Sequence, residues 1–141
     1  MPTNQNPLLT FEEQGAITLG TVTGTNMLDG VSVPAFGNEA IAYIEGKAGL
    51  HLLLDFKQVE YMSSAALTEL LRINEELRKT KGSVRLCNLS NEIRKVFQIT
   101  NLEKLFVIHE NDSTAAATKR FERSLAVASE EDTWSNPDTS G

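Results

Sequence analysis

The chain is short of the residues that staple or interrupt a fold. Its one cysteine, Cys87, allows no internal disulfide. Placed in the run Val84-Arg85-Leu86-Cys87, it reads as a small buried hydrophobe. The prolines are Pro2, Pro7, Pro34 and Pro137, and after Gly49 the only glycines are Gly82 and Gly141. Residues 50–123 are thus almost free of breakers and are expected to be regular structure. No Lys or Arg precedes Lys47, which excludes the positive start of a secretory signal. No apolar run approaches the ~18–20 residues that span a bilayer. These absences predict a soluble, cytoplasmic chain with no membrane partner. Basic residues are outnumbered, 13 against 19 acidic, for a net charge of −6. That sign argues against a nucleic-acid partner.

Familiar reaction centres are absent as well. There is neither a G-x-G-x-x-G nor a G-x-x-x-x-G-K-[ST] phosphate loop, and no G-x-S-x-G elbow. His51 and His109 fall at the start of one apolar run and the end of another, and a single cysteine does not complete a metal site. No cofactor, metal or catalytic residue is expected. A small serine hydrolase using Ser63 or Ser64, with His109 as base, is the weakest of the functional alternatives. Asp55 and Glu60 read as solvated or capping groups.

What is present is a globular composition, 40% hydrophobic and 23% charged over 141 residues, which supports one domain with a real core. Four of the six net negative charges, Glu130, Glu131, Asp132 and Asp138, fall in residues 124–141, which have no Lys or Arg. The chain divides into a flexible start at 1–7, a domain at 8–123 and an acidic, disordered tail at 124–141, of which residues 129–141 are expected to be dispensable for folding, with Trp134 the one dissenting residue.

Within the domain, short apolar runs alternate with helical periodicity. Residues 16–22 read as a strand, with a shorter one before it at 8–13. A helix over 33–45 follows, with Ser32 as N-cap, Pro34 in its first turn and Phe36, Ala40 and Ile44 on its buried face. Residues 51–56 read as a strand covered on both faces. The helix from Ser63-Ser64 to Gly82 carries a Leu67, Leu70, Leu71 and Leu77 stripe and a Glu75–Lys79 pair, with Gly82 supplying the positive φ that ends it. A strand over 83–89, a helix over 91–99 capped by Ser90 and ended by Thr100-Asn101, Asn being suited to the left-handed region, a strand over 105–108 and a helix from Asp112 or Ser113 to Phe121 complete the order. This alternation predicts an α/β fold with a mostly parallel sheet of four or five strands and about four helices. Its working surface lies where strands feed helices, at the loops 23–32, 57–64 and 88–92.

The run from Asp55 to Leu67, Asp-Phe-Lys-Gln-Val-Glu-Tyr-Met-Ser-Ser-Ala-Ala-Leu, resembles the central motif of STAS domains, with bacterial anti-sigma factor antagonists as the nearest group. Their pattern is a hydrophobic strand ending in Asp, a short linker, then aromatic-Met-Asp-Ser-Ser/Thr-Gly-Leu-Gly. The resemblance continues through Gly82–Ser90 and Val96–Leu102, and Val22-Thr23-Gly24 is similar to the family's first turn. It implies a STAS-type β-α superhelix with no cofactor. It also implies that Ser64, or alternatively Ser63, is phosphorylated by an anti-sigma factor serine kinase and restored by a serine phosphatase. Asp29, Ser63, Ser64 and Thr68 would then meet the partner. The implied function is that of an antagonist whose binding to the kinase regulates transcription, or of an adaptor that binds without phosphorylation. The chain departs from the pattern at Ser63 for Asp, Ala65 for Ser/Thr, Ala66 for Gly and Thr68 for Gly, and its 24–32 loop is longer, with Asp29 only an approximate counterpart.

Overall fold

The computed structural model describes residues 7–110 and 112–140, with side chains as far as Val127. Its elements run β1 (Leu9–Gln14), β2 (Ile17–Val22), β3 (Met27–Leu28), α1 (Val33–Ile44), β4 (His51–Asp55), β5 (Tyr61–Met62), α2 (Ser64–Lys79), β6 (Ser83–Cys87), α3 (Asn91–Ile99), β7 (Val107–His109) and α4 (Thr114–Ser140). Five strands make one sheet in the order β1-β2-β4-β6-β7. Only the β1–β2 hairpin is antiparallel; β2–β4, β4–β6 and β6–β7 are parallel. The expected α/β architecture, with a mostly parallel sheet and four helices, is the one found.

Alternation along the strands divides the sheet into two faces. Val22, Leu52, Leu54, Val84 and Leu86 point to one face and pack with Phe36, Ala40, Leu70, Ile73, Leu77, Ile93 and Phe97 from α1, α2 and α3. Ile17, Leu19, Leu53 and Cys87 point to the other, where Ala117 and Phe121 of α4 cover them. This two-sided burial is why residues 52–54 are continuously apolar, and why Cys87 is inaccessible.

Several local expectations are corrected. The α2 stripe is Leu67, Leu70, Ile73 and Leu77; Ile73 is fully buried, whereas Leu71 only packs at its margin. Lys79 pairs with Glu76 at 2.9 Å rather than with Glu75. The left-handed residue ending α2 is Lys81, φ 66°, not Gly82. Gly82 is needed for another reason: a Cβ there would sit 2.2 Å from the Leu50 carbonyl oxygen. Strand β6 stops at Cys87 because Asn88 turns left-handed, φ 59°. Strand β7 begins at Val107, since Leu102–Lys104 forms a 3-10 turn that leaves Leu105 outside the sheet. Asn101 ends α3 in the left-handed region, φ 62°, as expected.

The last helix differs most. It passes Phe121, and Leu125 packs against the second face, so the boundary drawn at 123 falls inside α4. Ser113 caps it, its Oγ accepting from the Ala116 N–H at 3.1 Å. The remainder of the acidic tail, including Trp134, and residues 1–6 lie outside the residues whose side chains are described.

Leu70→Ala should cost about 2–5 kcal/mol in urea unfolding, because the fully buried side chain leaves a cavity between α2 and the sheet. Gly82→Ala should cost about 1–3 kcal/mol through its clash with Leu50. Gly30→Ala, which meets nothing within 4 Å, should change stability by no more than about 0.5 kcal/mol.

Candidate functional site

The three loops expected at the carboxyl ends of the strands converge, through contacts that join distant parts of the chain. Strands β3 and β5 pair in parallel, Met27 with Tyr61 and Leu28 with Met62. The pairing extends on both sides: the Glu60 N–H donates to the Asn26 carbonyl at 2.8 Å, and the Ser63 N–H to that of Leu28 at 2.7 Å. The loop at 23–32 is thereby laced to the start of α2. Ser90 brings in the third loop, its Oγ donating to the Glu60 carbonyl at 2.9 Å while accepting from the Ile93 N–H at 3.2 Å.

Beneath the loops lies Asp55, at the end of β4. It is fully buried, not solvated. Its Oδ1 accepts from the Lys57 N–H and from Asn88 Nδ2, each at 2.9 Å, and its Oδ2 from Thr114 Oγ1 at 2.8 Å. One carboxylate thus joins β4, the left-handed turn after β6 and the beginning of α4. The charge-assisted hydrogen bonds offset the cost of taking it out of water.

Ser63 occupies the N-cap position of α2 with extended backbone, φ −85° and ψ 168°. Its hydroxyl makes no capping bond, and Oγ is buried with no hydrogen-bond partner among the described residues. Ser64, the first helical residue, is exposed, and Thr68 is exposed one turn further along. The first turn of α2 contains no acidic residue, so the positive end of the helix is uncompensated locally. The paired strands and the adjoining loop expose Met27, Tyr61 and Val31, at 43%, 47% and 89%. One half-exposed aromatic and two apolar side chains thus lie on this loop cluster.

Asp29 is half-buried, and its Oδ1 accepts from the N–H groups of Val31 at 3.0 Å and Ser32 at 3.4 Å. Ser32 is at the N-cap position of α1 but does not cap it with its side chain; its hydroxyl donates to the Met27 carbonyl at 2.8 Å. The sequence points to the serine because the Asp29 carboxylate, three residues earlier, reaches the turn only through the loop's fold.

The histidines are strand-end side chains, neither bonded to Ser63 or Ser64. His51 Nδ1 lies 2.8 Å from Ser83 Oγ. His109 is held between Asp112 Oδ2 at 3.3 Å and Arg85 Nη1 at 3.4 Å. The geometry therefore does not assemble the base–nucleophile pair that a serine hydrolase requires. Burial lowers both imidazole pKa values from the ordinary 6.5, with the Arg85 charge adding to the effect. Burial, with Asp55 nearby, pushes the Cys87 thiol up to about 12, so it is no nucleophile. Among the described residues no group of His, Cys, Asp and Glu could hold a metal ion, and no helix is long and apolar enough to cross a membrane.

The family model described as STAS domain matches residues 9–117. The chain belongs to the STAS domain family. BtrV of Bordetella bronchiseptica, provisionally named an anti-sigma factor antagonist, is 32% identical over 71 residues, which cover 50% of this chain and 61% of BtrV. A STAS-domain containing protein of Pseudomonas aeruginosa is 34% identical over 56 residues, 40% of this chain and 55% of that protein. The chain thus spans less than two thirds of these relatives. The anti-sigma factor antagonist SpoIIAA in its unphosphorylated form superposes with a TM-score of 0.66 at 22% identity, over 81% of this chain and 96% of SpoIIAA. At that identity the likeness establishes the fold.

The site generates two expectations. Asp55→Ala should cost about 3 kcal/mol or more in urea unfolding, since it strands three donors around a buried position. For both histidines the folded pKa lies below 6.5, so their contribution is present above the unfolded value and is lost as pH falls through the folded one. Ring-proton titration by NMR should give both midpoints below 6.5, and the urea midpoint should decline on acidification across that range.

Proposed function

We propose that this STAS domain is an anti-sigma factor antagonist that binds an anti-sigma factor serine kinase and is switched by phosphorylation of Ser64. The reading is carried by one observation: Ser64 is an exposed hydroxyl on the first residue of α2, while the Ser63 hydroxyl is buried. A kinase must reach Oγ to attach the γ-phosphoryl group of ATP, so Ser64 rather than Ser63 is the acceptor. The family membership, the name of BtrV and the fold shared with SpoIIAA support the same reading. A further neighbour of the same fold, SpoIIAA in its phosphorylated form, has a TM-score of 0.61.

The physics of the site fits a switch that changes the surface and leaves the fold alone. A phosphate on Ser64 adds about −1.5 to −2 charges beside the uncompensated N-terminus of α2, where negative charge is favoured. The same dianion shares its loop cluster with the exposed Met27, Val31 and Tyr61, the apolar residues that a partner would cover. Forcing it into a close interface strips its water, at a cost of several kcal/mol unless the partner supplies a cation. Asp29 acts by shaping the loop that carries Val31, through its bonds to Val31 and Ser32, and Thr68 borders the acceptor one turn along α2. A serine phosphatase returns the surface to its binding form. Ser63 in place of the family's Asp removes a charge next to the acceptor, and the apolar cluster carries the recognition instead.

The test is incubation with the candidate kinase and ATP, followed by mass spectrometry and titration. Phosphate should appear on Ser64, and Ser64→Ala should block it while retaining binding. Phosphorylated protein should bind at least about tenfold more weakly, each 1.4 kcal/mol being roughly that factor. Val31→Asp or Tyr61→Ala should weaken binding of the unmodified protein without lowering its thermal midpoint. Phosphate found only elsewhere, or equal affinity of both forms, would remove Ser64 as the switch and leave a passive adaptor.

A further inference from the structure

Among the described residues, the second face of the sheet is covered by α4 alone. Between β7 and α4 lies a groove of about 680 Å³. That volume lies within the range of small-molecule sites. It is on the opposite face from α2, and nothing in the proposed switch uses it.

Its floor is Arg85, on β6. The guanidinium lies over the Phe121 ring at 4.5 Å, and Nη2 donates to Ser124 Oγ at 2.8 Å. Its other contact is His109 Nε2 at 3.4 Å. Among the described residues no carboxylate pairs with Arg85, although it is half-buried. Burial accordingly lowers its pKa from the ordinary value. A half-buried guanidinium held only by neutral groups retains N–H donors for an anion. Two more arginines of α4, Arg120 and Arg123, line the same groove. The carboxylates that line it are already engaged: Glu110 with Arg94, and Asp112 with Arg120 and His109. Three arginines against two carboxylates leave a cationic concavity in a chain of net charge −6. Its walls are apolar. Val107 and Val127 line it at 50% and 48% exposure, high for aliphatic side chains.

We propose that the groove between β7 and α4 binds a small organic anion, with its phosphate or carboxylate met by Arg85 and Arg123 and its apolar body laid against Val107 and Val127. The forked guanidinium suits either acid, and the valines discriminate against an inorganic ion. The site stands on residues remote from Ser64 and does not depend on the phosphorylation reading.

The experiment is an amide-detected NMR titration of the full chain with phenyl phosphate, benzoate, inorganic phosphate and benzyl alcohol. The expected result is saturable shifts at Val107, Ser124 and Val127 with phenyl phosphate or benzoate. The tighter of the two identifies the acid. Benzyl alcohol and inorganic phosphate should each bind at least about tenfold more weakly, for want of the charge or of the apolar body. Arg85→Gln should reduce affinity about tenfold or more. Arg123→Gln, on the exposed side of α4, should do so with the amide spectrum otherwise unchanged, which separates loss of binding from loss of fold. The proposal is overturned by the absence of saturable shifts with both organic acids, by equal affinity for inorganic phosphate or benzyl alcohol, by shifts confined to the start of α2, or by undiminished binding in Arg123→Gln.

Discussion

The buried carboxylate of Asp55 is the contact on which the functional end of the molecule depends. A parallel sheet ends in loops that have no ladder to hold them, and each loop must find partners of its own. Asp55 supplies them for three segments at once, through the Lys57 N–H, Asn88 and Thr114. Without it, the linker before α2 would lose its anchor to the sheet, and α4 would lose the contact that sets its first turn. Burial of an ion is costly on its own. Here the geometry of its hydrogen bonds compensates, and the same geometry leaves few other positions for the loops.

From that anchor the chain rises to the small parallel pair β3–β5, which fixes where α2 begins. The pairing buries Met62 and turns the Ser63 hydroxyl inward, leaving Ser64 outside. The two adjacent serines are chemically equivalent in sequence and inequivalent in space. The same pairing sets Met27 beside Tyr61, and Val31 follows β3 by three residues on the adjoining loop. The exposed Ser64 hydroxyl and three exposed apolar side chains thus lie on one loop cluster.

The two faces of the sheet have different obligations. Three helices seal the first, and its residues are almost wholly apolar. One helix covers the second, so β6 tolerates Arg85 at a position where the other face would require an aliphatic side chain. Phe121 and Ser124 of α4 hold this arginine in place without neutralising it. The resulting concavity is a consequence of unequal coverage, and its charge is opposite in sign to that of the chain as a whole.

Periodicity is a local property, and the features that depend on it are legible in the sequence: the alternation of strands and helices, the mostly parallel sheet, the start of α2 at Ser63-Ser64, the Ser90 cap and the left-handed Asn101. The motif from Asp55 to Leu67 likewise points to the family before any coordinate is needed. Gly82 has the expected place and a different cause, because its close approach to Leu50 is made by a segment distant in the chain. The end of α4 escapes the sequence because the apolar partner of Leu125 lies on the second sheet face, contributed by β2, β4 and β6. The burial of Asp55, the difference between Ser63 and Ser64, and the groove around Arg85 were decided by tertiary structure alone. Each depends on which distant backbone comes to lie within hydrogen-bonding distance, and no spacing along the chain encodes that.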